Sequence, residues 1–126
     1  MPRRLLDDVG MANKLPSMQF YPGDWMKDPS VRICSVGARG LWMDMLCLMF
    51  ESDRRGYLEA SGTPISMAQL ARAAGCSTNV ANRFVKELEI AGAFSRDENG
   101  VIFSRRLVRD EAIRAGNRDR QQKHRL

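Results

Sequence analysis

The sequence predicts a mainly helical α+β domain, and three observations predict it. Ser35, Ser66 and Ser77 or Thr78 stand as N-caps before stretches of helical apolar spacing, and Gly75 and Gly92 stand just past two of these stretches. Two short apolar runs, 93–96 and 101–104, flank Asp97-Glu98-Asn99-Gly100, and Asn-Gly between such runs is a strong hairpin signal. The chain has 126 residues, 44% hydrophobic and 28% charged, which suits one domain with one core.

The elements follow in order. Residues 1–17 hold no sustained period and contain Gly10 and Pro16, so they are expected to be a flexible leader. The domain is expected over 18–115, with 116–126 a basic, disordered tail almost free of apolar residues. Residues 18–25 carry Phe20, Tyr21 and Trp25 around the turn signal Pro22-Gly23 and read as an extended segment anchored by those rings. A long helix should run from the Ser35 cap to about Ser52. It is apolar nearly all round, so it is either central to the core or shared with another chain, and eight methionines keep a homodimer face open. Asp44 interrupts it and is expected to pair with Arg32, Arg39 or Arg109.

Residues 56–60 predict one brief strand. A helix over 67–74 is capped by Ser66 and stopped by Gly75, and a second runs from 78 to about Ala91. The hairpin comes next, with both Asn99 and Gly100 expected at positive φ. A last helix should start near Arg106, with Leu107, Val108 and Ala112 inward and Gly116 weakening it.

Helix, short strand, helix, turn, helix, hairpin is the chain order of a winged helix-turn-helix with a short β-hairpin wing and a basic C-terminal helix or tail. Ala71 and Gly75 supply the small residue and the bend that two steeply crossing helices need. Phe84, Val85, Leu88 and Ala91 continue the inner face of the second helix. Its other face carries Thr78, Asn79, Asn82, Arg83 and Lys86. Asn and Arg suit bidentate contacts to base edges, and Lys86 suits a phosphate. Arg96 on the wing, with Arg105 and Arg106 after it, are further cations placed to meet DNA. Glu87 and Glu89, in the last turns of the helix, would point away from the DNA or repel it, and the wing-tip pair Asp97-Glu98 would repel phosphate.

Charge agrees with a phosphate-bearing partner. Residues 105–126 hold eight basic and three acidic residues, so the whole net charge of +5 falls in that end and the rest is neutral. DNA is the expected partner, double-stranded ahead of single-stranded. A dimeric transcriptional regulator and a winged-helix interaction module that touches no DNA remain alternatives.

Other classes lack their residues. The one histidine is His124, no C-x-x-C occurs, and Cys34, Cys47 and Cys76 are expected as buried apolar residues, so no metal or cofactor is expected. No carboxylate has a second carboxylate or a histidine placed to work with it in acid–base chemistry, so no catalytic residue is expected and the chain is not expected to be an enzyme. No apolar run reaches the roughly 18 residues of a membrane span. Arg3 and Arg4 precede no long apolar stretch, so a cytoplasmic protein is expected.

Tyr21-Pro22-Gly23-Asp24-Trp25, the stretch 38–49 (ARGLWMDMLCLM) and the stretches 92–96 and 100–111 resemble the N-terminal domain of phage and prophage replication proteins of the replisome-organiser type. The resemblance covers about Gln19 to Glu111. It implies a winged-helix domain that binds DNA at a replication origin and helps to recruit the host helicase machinery. In such proteins a separate C-terminal region often does the recruiting, so a chain of 126 residues is expected to be either a fragment or a minimal DNA-binding member. DNA binding is therefore the expectation carried forward.

Overall fold

A computed structural model describes residues 16–125. The leader expected over 1–17 lies, except for its last two residues, outside them. The described elements are helices α1 (Pro22–Lys27), α2 (Pro29–Arg32) and α3 (Val36–Glu51), strands β1 (Glu59–Ala60) and β2 (Thr63–Pro64), helices α4 (Met67–Ala74) and α5 (Thr78–Ala91), strands β3 (Ser95–Arg96) and β4 (Ile102–Phe103), and helix α6 (Arg105–Arg125). The architecture is mainly helical with two small antiparallel hairpins, β1–β2 and β3–β4.

The caps work locally, as their spacing predicts. Ser35 Oγ accepts from Ala38 N at 3.3 Å and Ser77 Oγ from Val80 N at 3.2 Å. Ser66 and Gln69 exchange two bonds, at 3.1 and 2.8 Å, in a capping box. Gly75 and Gly92 end α4 and α5 at φ 81° and 80°, where a Cβ would be strained.

Helix α3 is the centre of the core. Leu41, Met45, Met49 and Phe50 are buried, and Leu70, Leu88, Phe94, Ile102 and Leu107 reach the same cluster from the other elements. Gly37 lets α3 and α5 approach closely, since a Cβ there would lie 2.3 Å from the Phe84 ring. One stripe of α3 still faces solvent: Val36, Gly40, Asp44, Cys47 and Glu51. Asp44 lies in that stripe, so the arginine partner expected for it is not required; water solvates the carboxylate. Cys47 shares the stripe and Cys76 is half-buried, so Cys34 alone matches the expectation of buried cysteines. Burial raises the Cys34 thiol pKa, and Sγ donates to the Ser30 carbonyl at 3.3 Å.

Four other expectations change. Residues 22–27 are helical rather than extended, because Pro22 sits in the first turn, where its fixed φ favours a helix. Of the three rings, Trp25 packs on the core, while Phe20 and Tyr21 stay exposed. Residues 56–60 have two roles: Tyr57 pairs antiparallel with Phe103, and Leu58 N donates to the Ile102 carbonyl at 2.8 Å, before the chain turns into β1–β2. The paired positive-φ turn is there, at Ser61 (54°) and Gly62 (77°). At the β3–β4 tip only Gly100 has positive φ; Gly100 N donates to the Asp97 carbonyl at 2.9 Å, giving a type I turn followed by a bulge. Last, α6 is continuous across Gly116, so the expected boundary between 115 and 116 falls inside a helix and 117–125 are helical. Leu107 is buried and Val108 packs on Gly56, but Ala112 is exposed rather than inward.

Candidate nucleic-acid interface

Helices α4 and α5 make the most extensive contact in the molecule, joined by the short link 75–77. Ala71 and Ala81 are both buried, which permits that approach. Once Ala81, Val85 and Leu88 turn inward, 3.6-residue periodicity turns Asn79, Asn82, Arg83 and Lys86 outward, and all four are exposed. Thr78 is exposed in the first turn. Among the described residues, Thr78, Asn79, Asn82 and Lys86 make no side-chain hydrogen bond or ion pair. Arg83 lies beside the Phe84 ring, 5.3 Å from its centroid.

The two acids of α5 are held by the fold. Glu87 accepts from the backbone N and the Oγ of Ser35, the latter at 2.8 Å, and so caps the start of α3. Those bonds hold its carboxyl below the ordinary range. Glu89 meets Arg96 through two bonds, Nε–Oε2 at 2.8 Å and Nη2–Oε1 at 3.1 Å, which depress the Glu89 pKa and raise that of Arg96. Arg96 also donates to the Gly100 carbonyl at 2.9 Å. It therefore ties the β3–β4 hairpin to the end of α5.

Asp97 is turned into its own loop. Its Oδ1 accepts from Val101 N and Asn99 N, both at 2.9 Å, and Oδ2 meets Arg54 at 3.2 Å. These bonds lower its pKa, led by the one from Val101. Glu98 is the acid left exposed at the tip. Arg54 also pairs with Glu59 at 3.0 Å, so it braces the two hairpins against each other.

The α6 cations divide by position. Arg105 donates to Ser95 Oγ and the Gly92 carbonyl, both at 2.7 Å, joining α6 to the hairpin. Arg106 lies 3.9 Å from Met18 Sδ. Neither forms an ion pair with Asp24 or Asp44 among the described residues. Arg114 is occupied by Glu111, at 2.8 Å, and the same carboxylate lies 3.7 Å from the buried Arg55. Hydrogen bonding from Arg114 holds Glu111 below its ordinary pKa. From Asp119 to Lys123 every side chain is exposed.

Sequence reasoning thus finds the outward stripe of α5 but misses what holds its flanks. Arg54, Arg55 and Glu87 act across 43 to 56 residues of sequence, and no local period marks them. The adjacent arginines 54–55, between a helix and a strand, are the one available signal.

No protein-family model, no curated protein and no solved structure matches this chain. Among the described residues, no helix is long and apolar enough to cross a membrane, and no group of three His, Cys, Asp or Glu could hold a metal ion.

Proposed function

We propose that the chain is a winged helix-turn-helix protein that binds double-stranded DNA, with α5 in the major groove, β3–β4 as the wing and the outer half of α6 along phosphates. The observation that carries the reading is the outward stripe of α5. Asn79, Asn82, Arg83 and Lys86 are exposed together, while Glu87 and Glu89 are drawn off by Ser35 and Arg96. The stripe is therefore rich in donors and net positive, as base edges and phosphates require. Asp97 bonded inward removes part of the charge conflict at the wing. In this reading Arg96 and Arg105 position the wing, and Arg106 remains available to phosphate. The resemblance of 21–25, 38–49, 92–96 and 100–111 to phage replication proteins directs the proposal to replication initiation.

The test is a salt titration of binding to random duplex DNA. If about five basic residues meet phosphate, log K falls with log salt at a slope of roughly −4 to −5. A variant with Arg118→Gln, Arg120→Gln and Lys123→Gln should lose affinity for all sequences alike and flatten that slope. No binding at low salt, where electrostatics is strongest, would remove DNA as the partner.

One observation favours a second reading, a protein-interaction module. Ile33, Val36 and Ile90 are 78, 84 and 80% exposed and stand within three residues of the Ser35–Glu87 bonds. Capture of a protein partner that Ile33→Ser and Ile90→Ser abolish, without any DNA binding, would favour it.

A further inference from the structure

A cleft of about 240 Å³ opens between α1, α3 and the first turns of α6. Its floor is apolar, with Val31, Trp42 and Leu46 buried and Trp25 half-buried. Phe20 and Tyr21, 42 and 54% exposed, line it, as do Arg106 and Arg109. The volume is below the roughly 300–1,000 Å³ of a site for a drug-sized ligand, so it suits one planar ring system.

The polar groups decide which ring system. Among the described residues Arg109 makes no hydrogen bond or ion pair, and Arg106 has only the weak contact with Met18. Arg106 lies in the first turn of a 21-residue helix, where the backbone adds positive potential, and Arg109 lies one turn further on. A phosphate is the group that two such guanidiniums recognise. Asp24 and Asp28 also line the cleft. A carboxylate accepts well from the exocyclic amine of a base. Rings, cations and a carboxylate together match a nucleotide better than an acidic peptide.

We propose that this cleft holds one unpaired nucleotide, its base stacked beside Tyr21 and Trp25, its phosphate on Arg106 and Arg109, and its exocyclic amine on Asp24. The proposal rests on nucleic acid being the partner class, as proposed above, but uses none of the residues of α5. Stacking on aromatic rings with a cationic flank is the general way an unpaired strand is held.

The chain has two tryptophans, and both line the cleft, so intrinsic fluorescence reports on it directly. The probe is a short oligodeoxycytidylate titrated at low salt, with a labelled duplex followed separately by anisotropy. Saturable quenching is expected. Tyr21→Ala and Arg109→Gln, both at exposed positions, should each weaken the apparent Kd by about fivefold or more. Oligodeoxythymidylate, whose base lacks the amine, should bind more weakly. The pair Asn82→Ala and Arg83→Ala should weaken duplex binding and leave the quenching unchanged. Duplex binding without quenching overturns the cleft proposal and leaves the reading of α5 intact. Quenching that Tyr21→Ala and Arg109→Gln both leave unchanged also overturns it, as does quenching by an acidic apolar peptide but not by the oligonucleotide. Failure of both probes overturns both readings.

Discussion

The two faces of α5 are built from one run of 14 residues and are used in opposite ways. Inward, Ala81, Val85 and Leu88 are buried against α3 and α4, and Phe84 fills the space above Gly37. Outward, Asn79, Asn82, Arg83 and Lys86 meet solvent. The acids that could neutralise the outward face are held at its edges by Ser35 and Arg96. The difference teaches where function is to be sought. A face whose side chains hold nothing together is free to bind, whereas substitutions on the packed face report stability alone.

Substitutions can break this comparison, and the largest effect should come from the inner face. Leu88→Ala removes a fully buried side chain and should cost about 2–5 kcal/mol of stability in urea unfolding. Ala81→Leu overfills a buried position of α5 and should cost about 1–3 kcal/mol in the same measurement. The outer face should respond differently. Asn82→Ala with Arg83→Ala should leave the unfolding midpoint nearly unchanged and reduce discrimination between DNA sequences by about 1–3 kcal/mol per contact. A loss of stability with sequence preference intact would show that the outer face is structural after all.

The smallest effect tests the edges of α5. Glu87, Glu89, Asp97 and Glu111 all titrate below their ordinary values in the fold. The unfolded chain therefore holds these protons at pH values where the folded chain has lost them. Their stabilisation is fully present above the unfolded carboxyl range of about pH 4 and is lost as pH falls through the lower folded values. The urea midpoint should thus hold steady from pH 7 to 5.5 and fall below pH 4. Glu87→Gln should make that fall shallower, and an acid limb of the same steepness would show that the Ser35 bonds contribute nothing.

Much of the fold was legible because its signals are local. A cap acts within one turn, so Ser35, Ser66, Ser77, Gly75 and Gly92 mark helix ends that the structure keeps. Alternation along α5 likewise separates Leu88 from Lys86. The Asn99-Gly100 turn misled because Asp97 bonds to two backbone N–H groups of the loop, which selects a type I turn with a single positive φ. Asp44 misled because an apolar helix at the centre of a small domain still keeps one solvent stripe.

The candidate interface divides in the same way. Sequence alone determined the α5 stripe, the basic end of the chain and the succession of α3, α4, α5, the β3–β4 hairpin and α6, since each depends on neighbours within a few residues. Tertiary structure alone decided which charges remain for a partner. Arg96 is spent on Glu89, Arg105 on Ser95 and Gly92, and Glu87 on Ser35, through contacts between groups 7 to 52 residues apart. It also decided that Trp25, Trp42, Arg106 and Arg109 share one cleft. A charge or a ring has no local period of its own, so only packing settles what it meets.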